Sequence, residues 1–62
     1  MITIKRIVEF ARWLEEIAPG FLLTVISVET GEDYRERDFL DQVARIIEIF
    51  GVTGAAKIVG CR

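Results

Sequence analysis

The sequence contains no histidine and a single cysteine, and these two scarcities exclude several classes of protein. Histidine is the commonest general base and metal ligand, so the usual starting point of a catalytic or metal site is missing. Cys61 has no histidine to activate it, and a lone cysteine excludes a disulfide within the chain. No glycine-rich phosphate loop follows a predicted strand. We therefore predict no catalytic residues, no cofactor and no metal, and we do not expect an enzyme.

Long apolar runs are missing as well. The longest nearly apolar stretch covers residues 21–28, whereas a helix needs about 20 apolar residues to cross a bilayer. The first ten residues, "MITIKRIVEF", carry charges where a signal peptide would be apolar. These features, with the lone cysteine, predict a cytoplasmic protein without a membrane partner.

Apolar residues are nevertheless abundant for so short a chain. Of 62 residues, 52% are apolar, and the mean hydropathy is +0.37. A single domain of this size buries only about 60% of its unfolded surface, so apolar side chains should remain exposed. Exposed apolar patches usually mark contact surfaces. We therefore expect one domain, residues 1–62, that forms a homodimer or binds a larger protein.

Two segments have the periodicity of amphipathic helices. Residues 4–18 place apolar side chains three and four apart, after Thr3 as a candidate N-cap and before Pro19 as a stop. A second helix is predicted from Asp38, with an ion pair between Asp41 and Arg45 and a left-handed glycine at Gly51. Its predicted buried stripe comprises Phe39, Leu40, Val43, Ile46, Ile47 and Phe50.

The segment between these helices is predicted to form strands. Residues 21–29, "FLLTVISVE", are rich in β-branched side chains. A turn with positive φ at Gly31 follows, and residues 33–37, "DYRER", fit a charged edge strand. Together with the helices, this predicts an α+β fold of two amphipathic helices on a small sheet, in the order α-β-(β)-α-β.

The C-terminal segment, residues 52–62, fits either a terminal strand or a short helix capped by Thr53 and ended by Gly60. In "FGVTGAAKIVG", Ala56 lies four residues before Gly60 and the segment follows a Phe-Gly break. This resembles the first motif helix of helix-turn-helix repressors of the phage Cro type and of Fis-like proteins. The resemblance implies DNA binding, but the recognition helix would lie beyond Arg62.

Charge argues against DNA as the main partner. Phosphate neutralisation dominates DNA affinity, and the chain has a net charge of −2 and a pI near 5.0. The preferred prediction is therefore a non-catalytic interaction module, with a DNA-associated regulator as the alternative. The alternative would use Thr53, Lys57 and Arg62 as DNA contacts. The predicted protein interface comprises Phe10, Trp13, Ile17, Phe21, Leu23 and Val25.

Overall fold

The computed structural model describes residues 2–35 and 37–61. Its described part consists of three helices and contains no strand: α1 covers Ile4–Ile17, α2 covers Phe21–Thr30 and α3 covers Phe39–Val59. The predicted α+β fold, with two helices on a sheet in the order α-β-(β)-α-β, is therefore wrong. The fold is all-α.

The first helix, α1, confirms the sequence prediction. The Thr3 hydroxyl oxygen accepts a hydrogen bond from the Arg6 backbone N–H at 3.2 Å, which caps the helix. Ile7 and Ala11, four residues apart, are completely buried. The helix ends at Ile17, because Ala18 precedes Pro19 and has a φ of −140°, outside the helical region.

The second helix, α2, replaces the strand predicted for residues 21–29. Leu22 and Ile26 lie four apart and are both 0% exposed, which is the spacing of a helix face turned to the core. Burying each of these side chains contributes about 1.5–3 kcal/mol. The weak β preference of valine and isoleucine is of order 1 kcal/mol or less, so burial decides the structure.

The start of α2 is held by a side chain of α1. One carboxylate oxygen of Glu15 accepts the Gly20 N–H at 3.2 Å, and the other accepts the Leu22 N–H at 3.1 Å. The first N–H groups of a helix have no partner within it, so these bonds satisfy two donors. The negative charge also lies at the positive end of the helix dipole. Glu15 therefore stabilises α2 and joins it to α1.

The end of α2 confirms one detail of the sequence prediction. Gly31 has a φ of 72° and donates its N–H to the Ser27 carbonyl at 2.8 Å. The positive φ was predicted, but it closes a helix rather than a β-turn. The Thr30 hydroxyl donates to the Ile26 carbonyl at 2.8 Å, which is how β-branched threonine is accommodated in a helix.

The predicted edge strand at residues 33–37 is also wrong within its described part. The Asp33 carboxylate accepts hydrogen bonds from the Arg35 backbone N–H at 3.2 Å and from its guanidinium at 2.7 Å. This local pairing folds the backbone into a turn. Glu36 lies outside the described residues.

The third helix, α3, begins as predicted and extends further than predicted. Asp38 caps it by accepting the Asp41 N–H at 2.8 Å. Arg45 pairs with Glu48 at 3.0 Å and approaches Glu32 at 3.9 Å, and not Asp41 as predicted. Gly51 has a positive φ of 76°, as predicted, but its ψ of 172° lies outside the left-handed helical region. The regular helix is interrupted at Gly51, and a second helical part follows.

The C-terminal segment is helical, so the predicted terminal strand is wrong. The helical alternative is correct, except that Thr53 lies within the helix and not at its N-cap. Residues 52–59 form the second part of α3. Gly60 closes it with a φ of 82°, and the Cys61 N–H donates to the Ala56 carbonyl at 2.8 Å. This is the hydrogen-bond pattern of a Schellman C-cap.

All three helices contribute to one core. Alanines on α1 and α3 allow the helix backbones to approach closely, and branched side chains fill the remaining space. Both parts of α3 take part, before and after Gly51. The buried core residues are Ile7, Ala11, Leu22, Ile26, Val43, Ile46, Ala55, Ala56 and Val59.

Candidate interaction surfaces

An apolar groove lies between α1 and α3. It has a volume of about 290 Å³. Ile4 is 57% exposed and Leu40 is 59% exposed, although Leu40 was predicted to belong to the buried stripe of its helix. Val43 is buried at the floor, so the groove has an apolar bottom and open apolar ends. The lining residues are Ile4, Val8, Leu40, Val43, Ala44 and Ile47; we call this surface the α1–α3 groove.

The two walls of the groove run in opposite directions. The Arg12 guanidinium lies 4.6 Å from the centre of the Phe39 ring, so the second half of α1 lies beside the start of α3. Ile4, two turns earlier in α1, lines the same groove as Ile47, two turns later in α3. Antiparallel helices satisfy both contacts. At about 1.5 Å per residue, the groove extends for roughly 10 Å along them.

The two rims of the groove carry opposite charges. With about 100° per residue in a helix, Lys5 and Arg12 project within about 60° of Val8 on the outer side of α1. Asp41 and Glu48 project within about 60° of Ala44 on the outer side of α3. All four charged side chains are exposed. Glu9 also lies on α1, but further round the helix from the groove. The rim is therefore basic beside Val8 and acidic beside Ala44.

A second apolar surface lies on α2. Phe21, Val25 and Val28 follow a spacing of four and three, which places them on one side of the helix. Val28 is 79% exposed and Phe21 is 39% exposed. No charged residue occurs from Gly20 to Val28. We call these three residues the outer face of α2.

The predicted interface residues do not form a single surface. Trp13 and Ile17 share one side of α1 and are 54% and 60% exposed. Leu23 projects about 160° away from Phe21 on α2, so these two cannot contact the same partner face. The remaining two, Phe10 and Val25, are half-buried and pack against the core. Their role at an interface stays a prediction.

The predicted DNA-contact residues lie at the C-terminal end. Thr53 and Lys57 are exposed and four apart on the second part of α3. Arg62 lies outside the described residues. The helical segment and the left-handed Gly60 agree with the features on which the helix-turn-helix resemblance was based. Within described residues 52–61, Lys57 is the one basic side chain.

A polar concavity of about 750 Å³ lies beside the loop between α2 and α3, lined by Asp33, Tyr34, Arg35 and Arg37. The side chains that line it contact one another in two pairs, Asp33 with Arg35 and Tyr34 with Arg37. The Arg35 guanidinium, hydrogen-bonded to the Asp33 carboxylate, lowers the pKa of that carboxyl, and the same bond raises the pKa of Arg35. Arg37 lies 5.4 Å from the centre of the Tyr34 ring. This concavity is larger than the α1–α3 groove, but the Asp33 and Arg35 charges in it neutralise each other.

One buried side chain anchors that loop to α3. The Gln42 side-chain amide donates to the Arg37 carbonyl at 2.9 Å, and Gln42 is 8% exposed. Its Oε1 atom is buried without a donor in the described part of the chain. Reversing the Gln42 amide would place its Oε1 atom against the Arg37 carbonyl oxygen, so the present orientation is the favourable one. Gln42 fixes the entry of the chain into α3.

Neither a metal site nor a membrane helix emerges from the described residues. Among residues 2–35 and 37–61, no three side chains of the types that bind metals come together. In the same residues, every helix is too short or too polar to span a bilayer. No protein-family model, curated protein or solved structure matches this chain.

Proposed function

We propose that this chain is a small, non-catalytic protein-interaction module that binds an apolar helical surface over the α1–α3 groove. The observation that carries the proposal is the exposure of Ile4 and Leu40 at the two ends of a concave apolar surface. On α3, Leu40, Val43, Ala44 and Ile47 repeat at the spacing that interacting helices use. A groove of this kind is a known mode of helix recognition.

The rims of the groove support the same function. Apolar contact in the floor supplies affinity, whereas charges at the rim set the orientation of the partner and exclude others. Lys5 on one side and Glu48 on the other would favour a partner with acidic and basic residues on opposite flanks of its apolar face.

Site-specific photo-crosslinking in the native cell tests this proposal. A photoreactive residue replaces Leu40 in the groove or, as a matched exposed apolar control, Val28 on α2. We expect position 40 to cross-link to an apolar helix face, identified by mass spectrometry of the joined peptides. The adduct should disappear when Ala44→Lys places a charge in the groove and should persist with Val28→Lys. Cross-linking from position 28 alone, or an adduct insensitive to Ala44→Lys, would contradict the proposal.

One observation favours DNA association as a second candidate function. The helix over residues 52–59 and the left-handed Gly60 resemble the first helix and turn of a helix-turn-helix. This candidate predicts binding of a duplex DNA probe that weakens steeply with added salt and with Lys57→Glu. Groove binding should depend much less on salt, because its floor is apolar. Titration of labelled duplex DNA at two salt concentrations separates the two functions.

A further inference from the structure

We infer that the partner of the α1–α3 groove is a second copy of this chain, joined by a two-fold axis that runs along the groove. The inference rests on the proposed function and names its partner. In this arrangement, α1 of one copy lies on α3 of the other. The two copies then form two layers of two helices each. Because α1 and α3 are antiparallel within the chain, every helix is antiparallel to its neighbour in the same layer and to the helix that it faces in the other layer. This is the standard geometry of a four-helix bundle.

The rim charges select this arrangement. Rotation about a two-fold axis along the groove leaves the position of each residue along that axis unchanged. It places the α1 rim of one copy against the α3 rim of the other. Lys5 then lies opposite Glu48 of the second copy, and Arg12 lies opposite Asp41 of the second copy. Symmetry repeats both pairs, so four opposite-charge pairs border the interface. Glu48 also pairs with Arg45 in its own chain, yet its side chain is 71% exposed and remains accessible.

The other two-fold arrangement is unfavourable. If the axis ran across the helices, α1 would lie on α1 of the second copy in the opposite direction. Lys5 would then lie near Arg12 of the second copy, and Asp41 near Glu48. Each pair would have like charges, which oppose association. The distribution of charge therefore distinguishes two dimers that the apolar groove alone would leave equivalent.

The size of the surface also fits a second copy. The chain exposes 4296 Å², and a standard interface buries about 800 Å² on each partner. About a fifth of the surface would be covered, which two helices of this length can supply. A dimer would cover Ile4 and Leu40, two of the most exposed large apolar side chains of the described residues.

Sedimentation over a wide concentration range, combined with charge reversal, tests the inference. The native chain should form a dimer. Lys5→Glu and Glu48→Lys should each raise the dimer dissociation constant about tenfold, since each turns two attractive pairs into repulsive ones. The double variant should restore most of the affinity. Lys57→Glu and Glu29→Lys change the charge equally at exposed sites outside the groove and should leave the dimer unchanged.

Each contrary result has a definite meaning. A monomer at about millimolar concentration, or a double variant as weak as either single variant, overturns the inference. If Glu48→Lys unfolds the chain, judged by circular dichroism, Glu48→Gln replaces it and should still weaken the dimer by a smaller factor. A monomer whose position 40 cross-links to a different protein overturns the second copy but leaves the proposed function standing. A dimer broken by Val28→Lys and not by Ala44→Lys overturns both.

Discussion

The α1–α3 groove and the outer face of α2 are both apolar, but they differ in shape and in charge. The groove is concave, formed by two antiparallel helices, and bordered by charges of opposite sign. The outer face of α2 is one side of a single helix, and the chain carries no charge from Gly20 to Val28. Rim charges fix orientation and register, whereas a convex uncharged face fixes neither. The comparison teaches that exposed apolar area alone does not define an interface.

The largest expected change in stability distinguishes the buried side of α2 from its exposed side. Leu22→Ala removes a side chain with no exposed surface and should lower the free energy of unfolding by about 2–5 kcal/mol. Val28→Ala, at a side chain that is 79% exposed, should change it by about 0.5 kcal/mol or less. Chemical denaturation of both variants measures the difference. Equal losses would mean that α2 is buried on both sides.

The next effect concerns Gly51, which lies about one turn beyond Ile47 and interrupts the helix that forms the α3 wall of the groove. Gly51 has a φ of 76° and a ψ of 172°, a backbone region that residues with a side chain rarely occupy. Gly51→Ala should therefore cost about 1–3 kcal/mol of stability, even though no atom lies within 4 Å of the added methyl group. Thermal unfolding measures this cost. An unchanged or raised Tm would show that the break in α3 is not required.

A smaller effect concerns the start of α2, the helix that carries the outer apolar face. Glu15→Ala removes the acceptor for the Gly20 and Leu22 N–H groups and should cost about 1 kcal/mol. Amide hydrogen exchange should accelerate first in residues 21–30. Glu16→Ala, at the exposed neighbouring position, is the control and should have little effect. Equal exchange in the two variants would contradict the capping role of Glu15.

The smallest effect lies in the loop, outside both apolar surfaces. The Arg35 guanidinium holds the pKa of Asp33 below its usual value. The stabilisation is therefore present at neutral pH and is lost as pH falls through the lowered pKa. Arg35→Ala should raise that pKa toward its usual value, whereas Arg37→Ala should not, as followed by NMR titration of the Asp33 carboxyl. Because both side chains are exposed, the change in stability should be small.

The helices that could be predicted from the sequence are those with one apolar side and a side-chain cap. Thr3 and Asp38 marked the starts of α1 and α3 correctly because capping depends on residues close in sequence. The second helix could not be recognised in this way. Its apolar residues surround the helix, and its cap, Glu15, belongs to the preceding helix. The four-residue spacing of Leu22 and Ile26 was the available signal.

The groove was missed because the apolar stripe of α3 was assigned to a single buried face. Val43 and Ile46 do face the core, but Leu40 projects about 100° or more from Ile46. A stripe this wide contacts two different surfaces. The predicted interface was instead placed beside the aromatic Trp13 on α1 and on residues 21–25, which were predicted to be part of a strand. Recognising the groove required knowing that α1 and α3 are neighbours, which depends on contacts distant in sequence.

The carboxylate of Glu15 has a further consequence for the tendency of the chain to aggregate. The uncharged segment "FLLTVIS", residues 21–27, has the composition of segments that assemble into cross-β fibrils: β-branched and aromatic residues without charge or proline. The helical conformation protects this segment from strand pairing between chains, since a helix pairs its own backbone donors and acceptors. By accepting the Gly20 and Leu22 N–H groups, Glu15 stabilises the helical form, in which these donors are not free for intermolecular strand pairing.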